Sequence, residues 1–349
     1  MNKLSFACDY MEGAHPEILK RLAETNFIKS AGYGMDEYSE AAGSKIRKAC
    51  NAPDADVFFL VGGTQTNATV IDALLRSYQG VISAETGHVN VHEAGAIEFG
   101  GHKVMALSHT DGKLSAEVIA KCLKDYQDDA NHDHMVMPGM VYISQPTEYG
   151  TLYTLKELEA ISKVCREHKI PLYLDGARLA YALACPVNDV ELEDIARLCD
   201  VFYIGGTKCG ALFGEAVVIP KQGYIPHFFT MIKQHGALLA KGRLLGIQFD
   251  TLFTDGLYKL IGENAMQAAD RIRAKMRECG LELCFNSPTN QIFCIAENAL
   301  AEKLMQEAEF SFWEKPDDTH TIVRCVTDWA TAEEDVDALC ELLESLTRK

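Results

Sequence analysis

The chain is 349 residues long, 48% hydrophobic and 24% charged, the profile of a globular protein of about two domains with a substantial core. Its formal net charge is −17, a surface that repels a phosphate backbone and argues against a nucleic-acid partner. No segment approaches the roughly 18 apolar residues of a membrane span, so no membrane partner is expected either.

The chain opens with MNKLSFACDYMEGAHPE, which lacks an apolar stretch long enough for a signal peptide. From about residue 57 to 220, short apolar runs alternate with helical patterns. The runs at 57–61, 81–84, 103–107, 140–145, 172–175, 201–205 and 216–219 read as strands, and 115–129 and 155–168 are the clearest helices. Strands joined by helical crossovers predict an α/β fold: a mainly parallel seven-stranded sheet, covered on both faces as a three-layer sandwich. After Arg243 the pattern changes. Residues 251–279 read as one long helical region, followed by short strands at 281–285 and 291–295. A helix near 300–309, a strand at 321–326 and a last helix from Ala332 complete a small α+β domain. The expected division is 14–248 and 249–349, with residues 1–13 contributing to the cleft. No Gly/Pro-rich linker marks the join, so close packing is expected there. No internal repeat is visible. The 12 cysteines are scattered, with no C-x-x-C, which gives no support to zinc-ribbon or thioredoxin chemistry. Together with the opening segment, they fit a reducing cytoplasm.

In an open parallel sheet, ligands gather beyond the carboxyl ends of the strands. Gly62-Gly63-Thr64-Gln65-Thr66-Asn67 follows VFFLV and opens a helix. Its glycines let N–H groups approach an anion and the helix dipole favours phosphate, though an ordinary strand–turn–helix reads the same way. Asp175-Gly176-Ala177-Arg178 follows PLYL. A carboxylate at a buried strand end needs a partner; a protonated pyridine nitrogen is one, and a helix cap is the plain alternative. Thr207-Lys208-Cys209-Gly210 follows VFYIGG. Desolvation there would lower the lysine's pKa and suit Schiff-base chemistry, whereas a lone loop lysine is usually solvated. His88, His92 and Glu93 follow VISAETG. His88 could stack on a flat ring or move a proton; for His92 a supporting or solvent role is the better reading. Asn131-His132-Asp133-His134 reads as a solvated loop rather than a metal site, and no metal is expected. Glu333-Glu334-Asp335 reads as the start of the last helix.

The order of these stretches resembles the fold-type-I pyridoxal-phosphate (PLP) enzymes, and within them the threonine aldolase and phenylserine aldolase group. The similar stretches are AGYGMDE, GGTQTNA, ETGHVNVHEAGA, ISQPTEYG, YLDGARLAYAL, GGTKCGALFGEAVV, AKGRLLGIQ and IVRCVTDWAT. They span essentially the whole chain. The resemblance implies that Lys208 carries the cofactor, Asp175 faces its pyridine nitrogen and His88 stacks on its ring. It implies that Gly63, Thr64 and Asn67 hold the phosphate, that Thr207 lies beside the cofactor, and that Gln145 contacts the ring hydroxyl. Arg178 and Arg324 would clamp the substrate carboxylate, with Arg178 also near the cofactor. Arg243, with Lys241 nearby, would reach a neighbouring subunit's phosphate in a homodimer or homotetramer. Cys8 stands where relatives commonly carry serine, which weakens a hydroxyl contact to substrate. The implied activity is retro-aldol cleavage of threonine, allo-threonine and phenylserine-type amino acids to glycine and an aldehyde. An aminotransferase or β-eliminating lyase shares nearly every residue named; a non-catalytic cofactor-binding protein is a third reading, against which Lys208 stands.

Overall fold

A computed structural model describes residues 4–348. Seven strands form the central sheet: β1 (Asp56–Leu60), β2 (Gln79–Ala84), β3 (Val104–Leu107), β4 (Met137–Ser144), β5 (Leu172–Asp175), β6 (Val201–Gly205) and β7 (Glu215–Ile219). Their order is β1-β7-β6-β5-β4-β2-β3. The pairings of β3, β2, β4, β5 and β6 are parallel. β7 runs antiparallel to both β6 and β1. This reversal has a local cause. Every parallel neighbour needs a crossover, but residues 206–214 join β6 to β7 directly at the carboxyl edge. Lys208 lies in that loop, and the first residue of β7, Glu215, pairs with the last of β6, Gly205.

Side chains alternate across the strands, and two cores result. One face carries Ile82, Ile143, Leu174, Ile204 and Val218 beneath the helices Leu155–His168, Leu179–Ala184 and Leu192–Leu198. The other carries Tyr142, Tyr173, Tyr203 and Val217 beneath the helices Gly63–Leu74 and Phe228–Gln234. The expected helix at 155–168 is Leu155–His168, started by Thr154 and Glu157 in a reciprocal capping box.

A second, antiparallel sheet follows, of order β10-β11-β9-β8: β8 (Glu282–Cys284), β9 (Gln291–Glu297), β10 (Ser311–Glu314) and β11 (His320–Val326). The helices Leu257–Glu278, Asn298–Ala308 and Glu333–Thr347 cover it through Ile272, Met276, Leu304, Leu339 and Leu343. The N-terminal segment joins this core at Phe6, whose carbonyl accepts from Val326 N–H at 2.9 Å.

Two expectations need correction. The region 251–279 is not one helix. Arg243–Leu252 ends at Phe253, and Asp255 and Gly256 take positive φ before Leu257–Glu278 begins; Thr254-Asp255-Gly256 is a helix-breaking sequence. The strand β10 was also not expected. It is a four-residue edge strand with a register shift against β11, too short for alternation to register. Among the described residues no helix is long and apolar enough to cross a membrane.

The helix Leu257–Glu278 presses on Leu179–Ala184 so tightly that a Cβ on Gly262 would lie 2.3 Å from the Ala180 carbonyl oxygen. Gly to Ala in an open helix stabilises by about 1 kcal/mol. Here the sign should reverse: Gly262→Ala should destabilise by about 1–3 kcal/mol in urea unfolding, because backbone has to move. A stabilised variant would show that the two helices have freedom to separate.

Candidate active site

Asp175 is the last residue of β5 and only 4% exposed. Tyr173 precedes it by two residues and shares its face. The register sets Tyr142 beside Tyr173 and Ser144 beside Asp175, and Tyr203 comes from β6 on the other side. Tyr142 donates to Oδ2 at 2.7 Å and Tyr203 to Oδ1 at 2.6 Å. The Ala177 N–H donates to Oδ1 at 2.9 Å and Asn67 Nδ2 to Oδ2 at 3.1 Å. Burial alone would raise the carboxyl's pKa. The charge His88 carries when protonated, together with these hydrogen bonds, outweighs it and holds Asp175 below the usual carboxylate range.

Lys208 sits on the loop that turns from β6 into β7, its carbonyl accepting from the Tyr181 hydroxyl. Burial and the like charge of Arg178 lower its pKa, against the pull of Asp9, Asp175 and Glu215. Glu215 accepts from the Thr207 hydroxyl at 2.9 Å and from the Gly206 N–H at 3.2 Å. Burial pushes its carboxyl up to about 8.

A cavity of about 270 Å³ joins these groups: Gly63, Thr64, His88, Asp175, Thr207, Lys208 and Glu215 all line it. A larger space of about 710 Å³ is lined by His88, Arg178 and Lys208 from one side and Gln291, Trp313 and Arg324 from the other. The cleft therefore lies between the two sheets. Gly62 caps the helix Gly63–Leu74 without a side-chain hydrogen bond, so the first-turn N–H groups face the cavity with no intrachain side-chain acceptor. An amine of lowered pKa, an ionised carboxylate and an uncapped helix start around one cavity fit the aldehyde, ring nitrogen and phosphate of PLP.

Arg178 is already engaged: Nε and Nη2 meet Asp9 at 2.7 and 2.9 Å. Asp9 is buried and also accepts from Asn290 at 3.0 Å. Burial would raise its pKa, but the Arg178 and Lys208 charges win and lower it. Arg324, on β11, lies 5.2 Å from the Trp313 ring centroid and donates to Gln291 at 3.0 Å. Its buried Nε has no hydrogen-bond partner among the described residues, and its Nη2 donates to the Ala7 carbonyl and the Ser311 hydroxyl at 3.4 Å.

Several expected contacts are placed elsewhere. Asn67 is fully buried and spends its amide on Glu93 and Asp175, which leaves it nothing for a phosphate. The Thr207 hydroxyl spends its one proton on Glu215. Gln145 is tied to the backbone of Tyr153 at both ends of its amide. Arg243 donates to the carbonyls of Thr25 and Ile28 of its own chain, and Lys241 is exposed. Cys8 is half-buried and adjoins Tyr10 and Arg324 electrostatically; Tyr10 and Arg324 line the larger space. His92 is at its rim, its ring 5.6 Å from that of His88.

Sequence reasoning missed Asp9, Glu148, Glu215, Trp313 and the tyrosines around Asp175. The tyrosines had a readable signal, since Tyr142, Tyr173 and Tyr203 each stand two residues before a strand end. Asp9 has no local pattern, since its partner Arg178 lies 169 residues away.

The seven-stranded sheet with its small antiparallel domain is the fold of the fold-type-I PLP enzymes. A model of the beta-eliminating lyase family matches residues 6–299, and the chain belongs to that family of PLP-dependent lyases. It is 33% identical over 292 residues to a low specificity L-threonine aldolase of a Pseudomonas species, covering 82% of this chain and 83% of that one. It superposes on a threonine aldolase of Leishmania major with a TM-score of 0.95 and 44% identity, covering 99% of this chain and all of that one. An aspartate aminotransferase of Thermus thermophilus matches at a TM-score of 0.74 with 15% identity, over 99% of this chain and 91% of that one, a likeness of fold alone.

The raised Glu215 pKa has a consequence for stability. Unfolded, the group titrates near its ordinary 4.5; folded, near 8. Between those values the folded state binds more protons, so this group's contribution to stability falls as pH rises. Glu215→Gln removes that loss. In urea unfolding from about pH 5 to about pH 8, the variant should gain steadily on the parent. A pH-independent difference would mean that Glu215 stays ionised in the fold.

Proposed function

We propose that this chain is a PLP-dependent lyase that cleaves β-hydroxy-α-amino acids of the threonine, allo-threonine and phenylserine type to glycine and an aldehyde. The observation that carries this reading is the pairing of a Lys208 amine of lowered pKa with an ionised Asp175 carboxylate in one cavity, beside a larger space that Lys208 and Arg324 both line. The whole-length likeness to two threonine aldolases supports the substrate class.

In this reading Lys208 holds the cofactor's carbonyl carbon, Asp175 its ring nitrogen, and Gly63 and Thr64 its phosphate. When bound, the cofactor supplies an electron sink for the pair released at Cα. Arg324 binds the substrate carboxylate and Arg178, steadied by Asp9, lines the same side. Holding the carboxylate fixes which bond at Cα aligns for cleavage. His88, 32% exposed by side chain, takes the β-hydroxyl proton. Tyr142, Tyr203 and Ala177 keep Asp175 charged, so that it favours a protonated ring nitrogen.

The reading also includes two domains, 14–248 and 249–349, with residues 1–13 reaching the cleft. It includes a cytoplasmic assembly of identical chains, dimer or tetramer. Phe27 is 95% exposed and Met35 73%, close in sequence to the carbonyls that Arg243 holds; apolar surface of this kind favours a second chain. All 12 cysteines are free, in keeping with a reducing compartment.

With PLP present, threonine, allo-threonine or phenylserine should yield glycine and aldehyde in equal amounts without any keto acid. Lys208→Ala should abolish turnover. Product formation that requires a keto acid, with no aldehyde released, would overturn the lyase reading in favour of an aminotransferase.

A further inference from the structure

Glu93 is fully buried by side chain, yet it lies outside the residues that line the cleft. Its Oε1 is 2.7 Å from His88 Nδ1 and accepts from Asn67 Nδ2 at 2.7 Å. Its Oε2 is buried with no hydrogen-bond partner among the described residues. The same Asn67 amide reaches Asp175 Oδ2 at 3.1 Å, and its Oδ1 accepts from the Tyr173 hydroxyl at 2.8 Å. Burial first, then the Asp175 charge, raises the Tyr173 phenol far above its ordinary pKa, so it remains a donor.

These contacts decide the hydrogens. Flipping the Asn67 amide would set its carbonyl against two carboxylates and its NH₂ against a donor hydroxyl, so both amide protons point at Glu93 and Asp175. Oε1 of Glu93 is then an acceptor for Asn67. An ionised carboxylate accepts from His88 as well, which puts the imidazole proton on Nδ1 and leaves Nε2 bare. A protonated Glu93 donating to Nδ1 would turn the tautomer over.

We propose that Glu93 is a positioning residue: it holds His88 as the Nδ1–H tautomer and leaves Nε2 for the cleft, with Asn67 tying the pair to Asp175. A histidine takes up a proton at the nitrogen that its buried partner does not occupy, and the partner's charge steadies the cation formed. This rests on the retro-aldol reading for its consequence. His88 Nε2 would accept the β-hydroxyl proton as the C–O bond becomes the aldehyde carbonyl and the Cα–Cβ bond breaks, the bound cofactor supplying the sink for that electron pair. A proton delivered to Cα then completes glycine, and the proton on Nε2 goes there or to solvent.

Other charged groups also face His88. Glu148, beyond β4, accepts its backbone N–H at 2.9 Å, Asp175 acts on it through charge, and His92 adjoins its ring. Lys208, Arg178 and Arg324 share its cavities. Among the described residues, Glu93 is the charged side chain bonded to the His88 ring; Glu148 accepts only from its backbone N–H, and His92 donates its own backbone N–H to the His88 carbonyl at 2.9 Å.

The experiment is ¹⁵N-histidine NMR on the intact protein with and without PLP, reading two-bond couplings that distinguish Nδ1–H from Nε2–H. The His88 signal is assigned with His88→Asn. Above its pKa, His88 should be the Nδ1–H form. Glu93→Ala, which leaves no acceptor at that position, should shift it toward Nε2–H and cut kcat on the order of 10- to 100-fold with KM little changed. Glu93→Asp should restore part of the Nδ1–H signal. An Nε2–H His88 in the unmodified protein overturns the proposal, even if the variants fail to fold. So does an unchanged tautomer in Glu93→Ala. An intact Nδ1–H signal in a protein that releases no aldehyde overturns the lyase reading and leaves this one standing.

Discussion

A buried carboxylate held ionised at the edge of a sheet is the constraint from which the site follows. Asp175 has four donors from four different places: β4, β6, the turn after β5 and the helix Gly63–Leu74. Removing a charge from water costs several kcal/mol unless hydrogen bonds replace the lost hydration. Those donors meet only if β4, β5 and β6 hold their register and the helix packs on the tyrosine face. The catalytic charge and the sheet order therefore depend on one another, and a one-residue slip in β5 would turn both Tyr173 and Asp175 to the opposite face.

The cleft's other charges are arranged in the same way, as pairs made across long stretches of chain. Asp9 meets Arg178, Glu93 meets His88, and Glu215 acts on Lys208 through charge, its carboxyl pKa raised by burial. The raised Glu215 carboxyl matters for Lys208: an anion there favours the ammonium form, and burial and Arg178 outweigh that pull and lower the lysine's pKa. The reversal of β7 makes this possible, since it brings the start of that strand to the edge where the others end.

The large sheet was legible because its strands are short apolar runs separated by helical patterns, and LYLD and VFYIG fall where the structure has β5 and β6. The small domain was less so. Its strand β10 is an exposed edge of four residues, and the helix break at Asp255 depends on two residues of positive φ that a helical pattern spans without interruption. At the site, Lys208, Asp175 and His88 were visible as polar residues just beyond strand ends. Asn67 was visible too, but its direction was not: position 67 looks toward an anion in the sequence and toward two carboxylates in the fold. Asp9 and Glu215 had no local signal, because their partners lie 169 residues away for Arg178 and across a strand reversal for Lys208.

The N-terminal segment sets how the cleft treats a carboxylate. Phe6 bonds to β11, Asp9 to Arg178 and Asn290, and the His15 N–H to the Gly210 carbonyl on the lysine loop at 2.8 Å. One stretch of ten residues thus stitches both sheets to the loop that carries Lys208. In doing so it cancels the charge of Arg178 with Asp9, while Arg324, facing Trp313 and Gln291, keeps its charge and an unpaired buried Nε. Under the proposed reading, one strong cation remains for the substrate carboxylate and Arg178 contributes only the part of its guanidinium that Asp9 leaves over. A second carboxylate on the substrate would find no comparable partner and would lie near Glu148 and Glu314, which line the same space. The cleft is therefore matched to amino acids with a neutral side chain, and the N-terminal strap, rather than the sheet, is what makes it so.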